Sequence, residues 1–259
     1  MKWYFALNAA SLEKDSQYGW CVDVAVLSAL QHTTLNPHLL FDGKPCAFTD
    51  RLRRLGVTIV FHRSSLSDAI NAARPGNTGW QTIAHGAFLR IDIPQLDTES
   101  DFVLYTDCDV MFQREPTLAG IEPRYFAVAP EFTPGDYANM NTGVMVINLA
   151  GMRGVAGDFD RFIRGGLADF PAYDQGALRE FFKGRYDHLP ERLNWKPYWG
   201  GNPDAEIVHF HGPKPPHVRR MLNGDLDSFP PVLTELFSSG IQNYGVLDQV
   251  WHAYLDRAC

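Results

Sequence analysis

The stretch Phe102-Val103-Leu104-Tyr105-Thr106-Asp107-Cys108-Asp109 constrains this chain more than any other. Four apolar or aromatic residues run without a break toward Asp-Cys-Asp, and Val110-Met111-Phe112 turns apolar again. A short continuous apolar run bounded by polar residues reads as a buried strand, the habit of a central parallel one. On an open α/β sheet ligands sit beyond the carboxyl ends of the strands, where both carboxylates arrive. Successive side chains alternate faces, so Asp107 and Asp109 should point one way and Cys108 the other. Two carboxylates aimed together repel each other unless a cation lies between them, and hard divalent ions prefer oxygen ligands. The plainer reading is a polar strand end with two solvated aspartates.

The remaining chain has the pattern such a strand needs around it. Trp3 to Leu7 reads as a first buried strand ending at Asn8, and Tyr18 to Leu30 has helical spacing without proline. His38 to Phe41 is a strand running into Asp42-Gly43, Leu52 and Leu55 mark a short helix that stops at Gly56, and Val57 to Phe61 is a β-branched third strand. This β–α–β–α–β alternation predicts an α/β fold, a mostly parallel central sheet flanked by helices. Arg74 to Gly79 reads as a loop and Trp80 to Arg90 as a helix leading to the central strand. Tyr125 to Ala129, Val144 to Asn148 and Ile207 to Phe210 are further strands, and Phe159 to Leu167 and Gln175 to Phe182 further helices. Prolines recur between Pro190 and Pro216, which predicts a loop-rich wall. The boundaries expected are one domain over 1–229 and an amphipathic helical extension, 230–259, packed on it.

With 259 residues, 45% hydrophobic and 20% charged, the composition is that of a globular enzyme. The formal net charge of −7 argues against nucleic acid as a partner. It leaves room for a small anionic substrate, because a metal reverses the local field. Cys21, Cys46, Cys108 and Cys259 show no pairing logic and read as free thiols of a reducing compartment. No apolar run is long enough to span a bilayer, and the N-terminal Met1 to Leu7 is too short for a signal-peptide core. The expected location is cytoplasmic. The segment from Pro230 onward carries only Arg257 among its Lys and Arg positions, so membrane contact is at most peripheral.

Three further motifs follow in order: Asn141-Thr142-Gly143 before Val144-Met145-Val146-Ile147-Asn148, Asp174-Gln175-Gly176 at a helix start, and His209-Phe210-His211-Gly212-Pro213-Lys214-Pro215 at a strand end. Each alone has an ordinary explanation as a cap or a structural histidine. Together with Asp107-Cys108-Asp109 and Phe88-Leu89-Arg90-Ile91-Asp92-Ile93-Pro94, they resemble the retaining family 8 glycosyltransferases, the group of glycogenin and the bacterial lipooligosaccharide galactosyltransferases. The resemblance covers about Trp3 to Pro216. It implies a single GT-A-type, Rossmann-like domain. It also implies transfer of a sugar from a nucleotide sugar, a UDP-sugar, to a saccharide or other hydroxyl acceptor, with Mn²⁺ or Mg²⁺ as cofactor.

Carried over residue by residue, the resemblance makes Asp107, Asp109 and His209 the metal ligands. Lys214 and the amides around Gly212 would contact the diphosphate, and Asn8 and Tyr18 the base and ribose. Arg90, Asn141, Asp174 and Gln175 fall around the transferred sugar, and Glu131 where the family carries an acidic sugar-binding residue. Two departures stand out: Gly212 to Lys214 is one residue shorter than the family spacing, and no Trp follows Pro215. His211, two residues from His209, is a rival ligand if the strand persists.

The chemistry agrees with the residues on its own terms. Negative charge develops on a departing diphosphate, and two carboxylates, an imidazole and a lysine are the groups that hold a cation against it. A sugar-nucleotide pyrophosphorylase would use similar chemistry, but it wants a glycine-rich basic loop where Asn8-Ala9-Ala10-Ser11 stands. A non-catalytic nucleotide- or carbohydrate-binding protein is the reading from another class, and it is disfavoured by the presence of both aspartates. Trp195, Tyr198 and Trp199 form either an acceptor platform or a packed aromatic loop.

Overall fold

The computed structural model describes residues 1–14 and 17–258. Its strands are β1 (Lys2–Asn8), β2 (Asn36–Asp42), β3 (Thr58–Phe61), β4 (Phe102–Thr106), β5 (Val110–Phe112), β6 (Phe126–Pro130), β7 (Met140–Asn148), β8 (Asp187–His188) and β9 (Ile207–His209). Seven build one sheet in the order β3-β2-β1-β4-β7-β6-β8, and β5 pairs with β9 in a small second sheet. β7 alone runs against its neighbours in the large sheet. The expected mostly parallel sheet is therefore present. The order steps from β1 to β4 where the sequence direction reverses, which creates a crevice at their carboxyl ends.

The two-residue period of β1 divides the core. Tyr4 and Ala6 join one apolar layer, while Trp3, Phe5 and Leu7 join the layer on the opposite face. Val22, Ala25 and Val26 of the helix Gln17–His32 cover the second face, and Phe159 and Ile163 of the helix Leu149–Gly166 cover the first. Trp3 is fully buried, and its indole N–H donates to the Thr106 hydroxyl at 2.9 Å, so the central layer leaves no orphan donor there. A third cluster joins Trp251, Tyr244 and Leu247 of the C-terminal helix Ile241–Ala258 to Val24, Met111, Val208 and Phe210. The C-terminal segment, expected as one helical stretch, is two helices, Pro231–Ser239 and Ile241–Ala258.

Several boundaries differ from the sequence pattern for identifiable reasons. The helix expected over Trp80 to Arg90 is Thr78–Ala87, after which Phe88–Asp92 tightens into a 3₁₀ turn that buries Phe88, Leu89 and Arg90. β7 begins at Met140, so Asn141-Thr142-Gly143 lies inside the strand, with Asn141 paired to Ala129 at the end of β6 and a register shift following it. The central strand stops at Thr106, and Asp107 to Asp109 link it to β5. Cys21, Cys46 and Cys108 are free thiols, and Cys259 lies outside the described residues.

Candidate active site

Backbone pairing brings the motifs together. The Asp107 N–H donates to the Gly143 carbonyl at 2.7 Å, so the end of β7 holds the link beyond β4. Val110 pairs with His209 in the antiparallel β5–β9 ladder, and the Phe210 N–H donates to the Asp109 carbonyl at 2.9 Å. Asp107, Asp109 and His209 consequently meet, with one ligand atom from each lying within 4.8 Å of the others. His209 Nε2 is 3.5 Å from Asp109 Oδ1 and 3.9 Å from Asp107 Oδ2. The expected alternation holds across the link: the Cys108 thiol turns away and donates to the Ala6 carbonyl at 3.3 Å.

The other carboxylate oxygens are held by cations. Arg90 Nη2 lies 2.8 Å from Asp107 Oδ1, and the Lys214 ammonium donates to Asp109 Oδ2 and, at 3.0 Å, to the Phe210 carbonyl. Lys214 thus reaches the site despite the short spacing after Gly212. Burial alone would raise the Asp109 carboxyl, but the Lys214 ammonium beside it overcomes this and holds it well below the ordinary carboxylate range.

The orientation of His209 follows from backbone donors that admit one assignment. The Gly143 N–H donates to Asn141 Oδ1 at 3.1 Å, so the Asn194 atom 3.0 Å from that oxygen is its amide nitrogen. The remaining Asn194 oxygen lies 3.0 Å from His209 Nδ1 and accepts its proton. In the neutral ring the lone pair then falls on Nε2, which faces the two carboxylates, the tautomer that a metal-binding imidazole needs. Two oxygens and one bare nitrogen at one point fit a divalent cation. Room for the ring depends on Gly143, where a Cβ would lie 2.0 Å from His209 Cε1. Sequence reasoning missed both Asn194 and the steric role of Gly143, since neither carries a local signal.

Arg90 is the second organising centre. It is 6% exposed, its guanidinium sits 4.3 Å over the Tyr105 ring, and it donates to the Thr142 carbonyl at 2.6 Å. Its Nε lies 2.9 Å from Asp174 Oδ2, so one fork joins Asp107 and Asp174. Burial pushes the Asp174 carboxyl up to about 7 despite the opposing Arg90, with Asp107 adding to the rise. The turn ahead of Asp174 is strained, with Ala172 at φ 53° and Tyr173 at φ 55°. Non-glycine residues held there cost about 1–3 kcal/mol each, a cost that recurs at functional sites.

Gln175 is fixed by the Thr142 N–H, which donates to its Oε1 at 3.0 Å; its Nε2 then donates to Glu131 Oε1 at 3.0 Å. Asn141 Nδ2 also reaches Gln175 Oε1, at 3.3 Å. His211 lies beyond the end of β9, where the strand alternation lapses, and its Nε2 is 3.2 Å from Glu131 Oε1. Its Nδ1 is 2.9 Å from the Tyr198 hydroxyl, whose proton goes to the Glu131 carbonyl. The rival histidine thus faces Glu131 and Tyr198.

A cavity of about 320 Å³ opens beside the Asp107–Asp109–His209 group, lined by Tyr18, Arg90, Asp107, Asp109, Lys214 and His217. Asn8 lies outside this lining; its amide donates to the Thr82 carbonyl at 2.7 Å and its Oδ1 accepts from the Ser11 N–H at 2.7 Å. Gly212 turns at φ 87°, a conformation open to glycine, where the chain leaves β9 for Lys214.

Neither any family model nor any curated protein sequence matches the chain. Solved structures do. The glycosyltransferase GlyE of Streptococcus pneumoniae TIGR4 superposes with a TM-score of 0.61 at 18% identity, over 97% of this chain and 64% of that one. The galactosyltransferase LgtC superposes with a TM-score of 0.60 at 20% identity, over 92% and 96% of the two chains. This chain has the GT-A fold. Mouse xyloside xylosyltransferase 1 shares it, with a TM-score of 0.58 at 15% identity over 89% of this chain and all of that one. The chain thus spans under two thirds of GlyE but nearly all of LgtC. Within this GT-A fold, the Asp107–Asp109–His209 group lies at the crevice between the carboxyl ends of β1 and β4.

Proposed function

We propose that this protein is a metal-dependent, retaining glycosyltransferase of the family 8 kind, which moves a hexose from a UDP-sugar to a hydroxyl acceptor. The observation that carries the reading is the meeting of Asp107, Asp109 and the bare Nε2 of His209 at the switch-point crevice of a GT-A fold. The similar fold of LgtC, solved with donor and acceptor sugar analogs, supports it. Asp107, Asp109 and His209 would hold the ion, Mn²⁺ ahead of Mg²⁺ because an imidazole joins the carboxylates. Bound there, it supplies Lewis-acid neutralisation of the leaving diphosphate.

The chain's own groups do the rest. Lys214 brings a compact positive charge to the diphosphate, and Tyr18 lines the cavity where base and ribose would lie. Arg90, Asn141, Asp174 and Gln175 set the polar wall for the transferred sugar, each locked by the others before substrate arrives. The bond between the anomeric carbon and the diphosphate's bridging oxygen breaks, that oxygen leaving with UDP, and a bond to the acceptor oxygen forms on the same face. The acceptor's proton passes to a diphosphate oxygen, so UDP leaves and no side chain acts as dedicated base. Gln175 lies beside Asp174, and an amide is too weak a nucleophile for a ready covalent intermediate. Residues 1–229 carry this chemistry, 230–259 support it, and the three free thiols Cys21, Cys46 and Cys108 suit a cytoplasmic setting. No helix among the described residues is long and apolar enough to cross a membrane.

The stereochemistry tests the reading. NMR of the product made from an α-linked UDP-sugar should show an α-linkage, and a β-linked product contradicts retention.

A further inference from the structure

Three consecutive backbone carbonyls beside the site are each held by a side chain from one short segment. The Lys196 nitrogen donates to the Pro130 carbonyl, the Tyr198 hydroxyl to the Glu131 carbonyl at 2.6 Å, and the Trp199 indole N–H to the Phe132 carbonyl at 2.7 Å. The strand pairing explains the need. β8 pairs with β6 only as far as Val128, whose carbonyl takes the Leu189 N–H at 2.9 Å. Past that point β6 shifts register against β7, and its outer edge runs beyond the end of β8. Buried carbonyls there must find donors elsewhere, and a bulged strand beside a site re-aims the side chain that follows it.

Lys196 is the unexpected donor of the three. It is 0% exposed, its nitrogen lies 4.5 Å from the centre of the Trp199 ring, and burial pushes its pKa well below the ordinary lysine range despite Glu131 and Glu191. A lysine is almost never fully buried without a specific partner. The segment that carries it is fixed from two sides. The Trp195 N–H donates to the Ile207 carbonyl and the Trp195 carbonyl accepts from the His209 N–H, while the Asn243 amide of the C-terminal helix donates to the Pro197 carbonyl at 2.9 Å. Asn194, at its start, orients His209. One segment thus joins the Asp107–Asp109–His209 group to the backbone of Glu131. From there the Glu131 carboxylate accepts from Gln175 Nε2 at 3.0 Å, and the Thr142 N–H holds the other end of that amide.

We propose that Lys196 and Tyr198 are positioning residues of the transfer step: they fix the backbone of Glu131, whose carboxylate then holds the Gln175 amide at the transferred sugar. The proposal rests on the transferase reading, and two readouts separate them. One is UDP release from a panel of UDP-sugars in Mn²⁺. The other is the Gln175 side-chain amide in heteronuclear NMR, assigned by its loss in Gln175→Ala. Lys196→Met keeps the length of the side chain without the donor, and Tyr198→Phe keeps the ring. Each should lower kcat about 10–100-fold, the effect of a site group displaced by about 1 Å, with Mn²⁺ affinity kept within about twofold. Each should also shift the Gln175 amide signals in the direction that Glu131→Ala shifts them. In a Glu131→Ala background neither should lower kcat by more than about a further twofold, because the group they place is gone. Tyr198→Phe decides the matter where Lys196→Met does not fold. An unmoved Gln175 amide overturns the proposal, as does a fall in kcat that repeats in full in the Glu131→Ala background. No UDP release by wild type from any UDP-sugar overturns the transferase reading, and the role in transfer with it, even where the amide moves.

Discussion

Gly143→Ala puts the geometry of the site to a quantitative test. A Cβ there would lie 2.0 Å from His209 Cε1, 2.5 Å from Nδ1 and 2.8 Å from Nε2. His209 cannot yield cheaply, being 1% exposed and tied through Nδ1 to Asn194. Added bulk in a packed site costs about 1–3 kcal/mol. In a His209→Ala background the three obstructing atoms are gone, so the same substitution should cost under about 0.5 kcal/mol. The double-mutant cycle, read by urea denaturation, should then give a coupling of about 1–3 kcal/mol. Isothermal titration should also show Mn²⁺ affinity falling about 10–100-fold in Gly143→Ala, as for a displaced ligand. An equal stability cost in both backgrounds refutes the steric account. Wild-type Mn²⁺ affinity in Gly143→Ala refutes His209 as ligand.

Two other substitutions probe the surroundings. Burial pushes the Asp23 carboxyl up to about 6 despite Arg51 at 2.9 Å. The native state then holds this proton more tightly than the unfolded chain does. The stability it contributes is full below about pH 4 and is lost as pH rises through about 6. Asp23→Asn should flatten that decline by about 2–3 kcal/mol, and urea titrations at pH 4 and 8 showing an unchanged decline would contradict it. Cys108→Ala should keep Mn²⁺ affinity within about threefold because the thiol faces the core. Loss of metal binding in a folded Cys108→Ala protein would mean the link from β4 to β5 does not alternate as described.

Much of this arrangement is visible in the residues because it follows from local rules. An apolar run into Asp-Cys-Asp specifies a buried strand with two carboxylates at its mouth, and β–α alternation specifies the sheet around it. His209 and Lys214 are singled out by the family resemblance of their motif, since a histidine at a strand end has by itself an ordinary structural explanation. Asn194 has no such mark; it matters only because a loop far along the chain delivers its oxygen to His209 Nδ1. The same holds for Arg90, whose position in the motif is legible but whose bridge between Asp107 and Asp174 depends on a 3₁₀ turn and a strained loop. The aromatic loop after Asn194 reads from sequence as either an acceptor platform or a packed loop. Its indole N–H groups point to the carbonyls of Gly200 and Phe132, a choice that composition cannot reveal.

Turnover should depend on a metal held by Asp107, Asp109 and His209. The most direct test of this dependence is the rate of UDP release from a UDP-sugar by wild-type protein and by Asp109→Asn, in Mn²⁺ and in excess chelator. Wild type should release UDP with Mn²⁺ and lose this in chelator, and a folded Asp109→Asn variant should lose most of it. Full activity of either protein in chelator, or of Asp109→Asn in Mn²⁺, would contradict it.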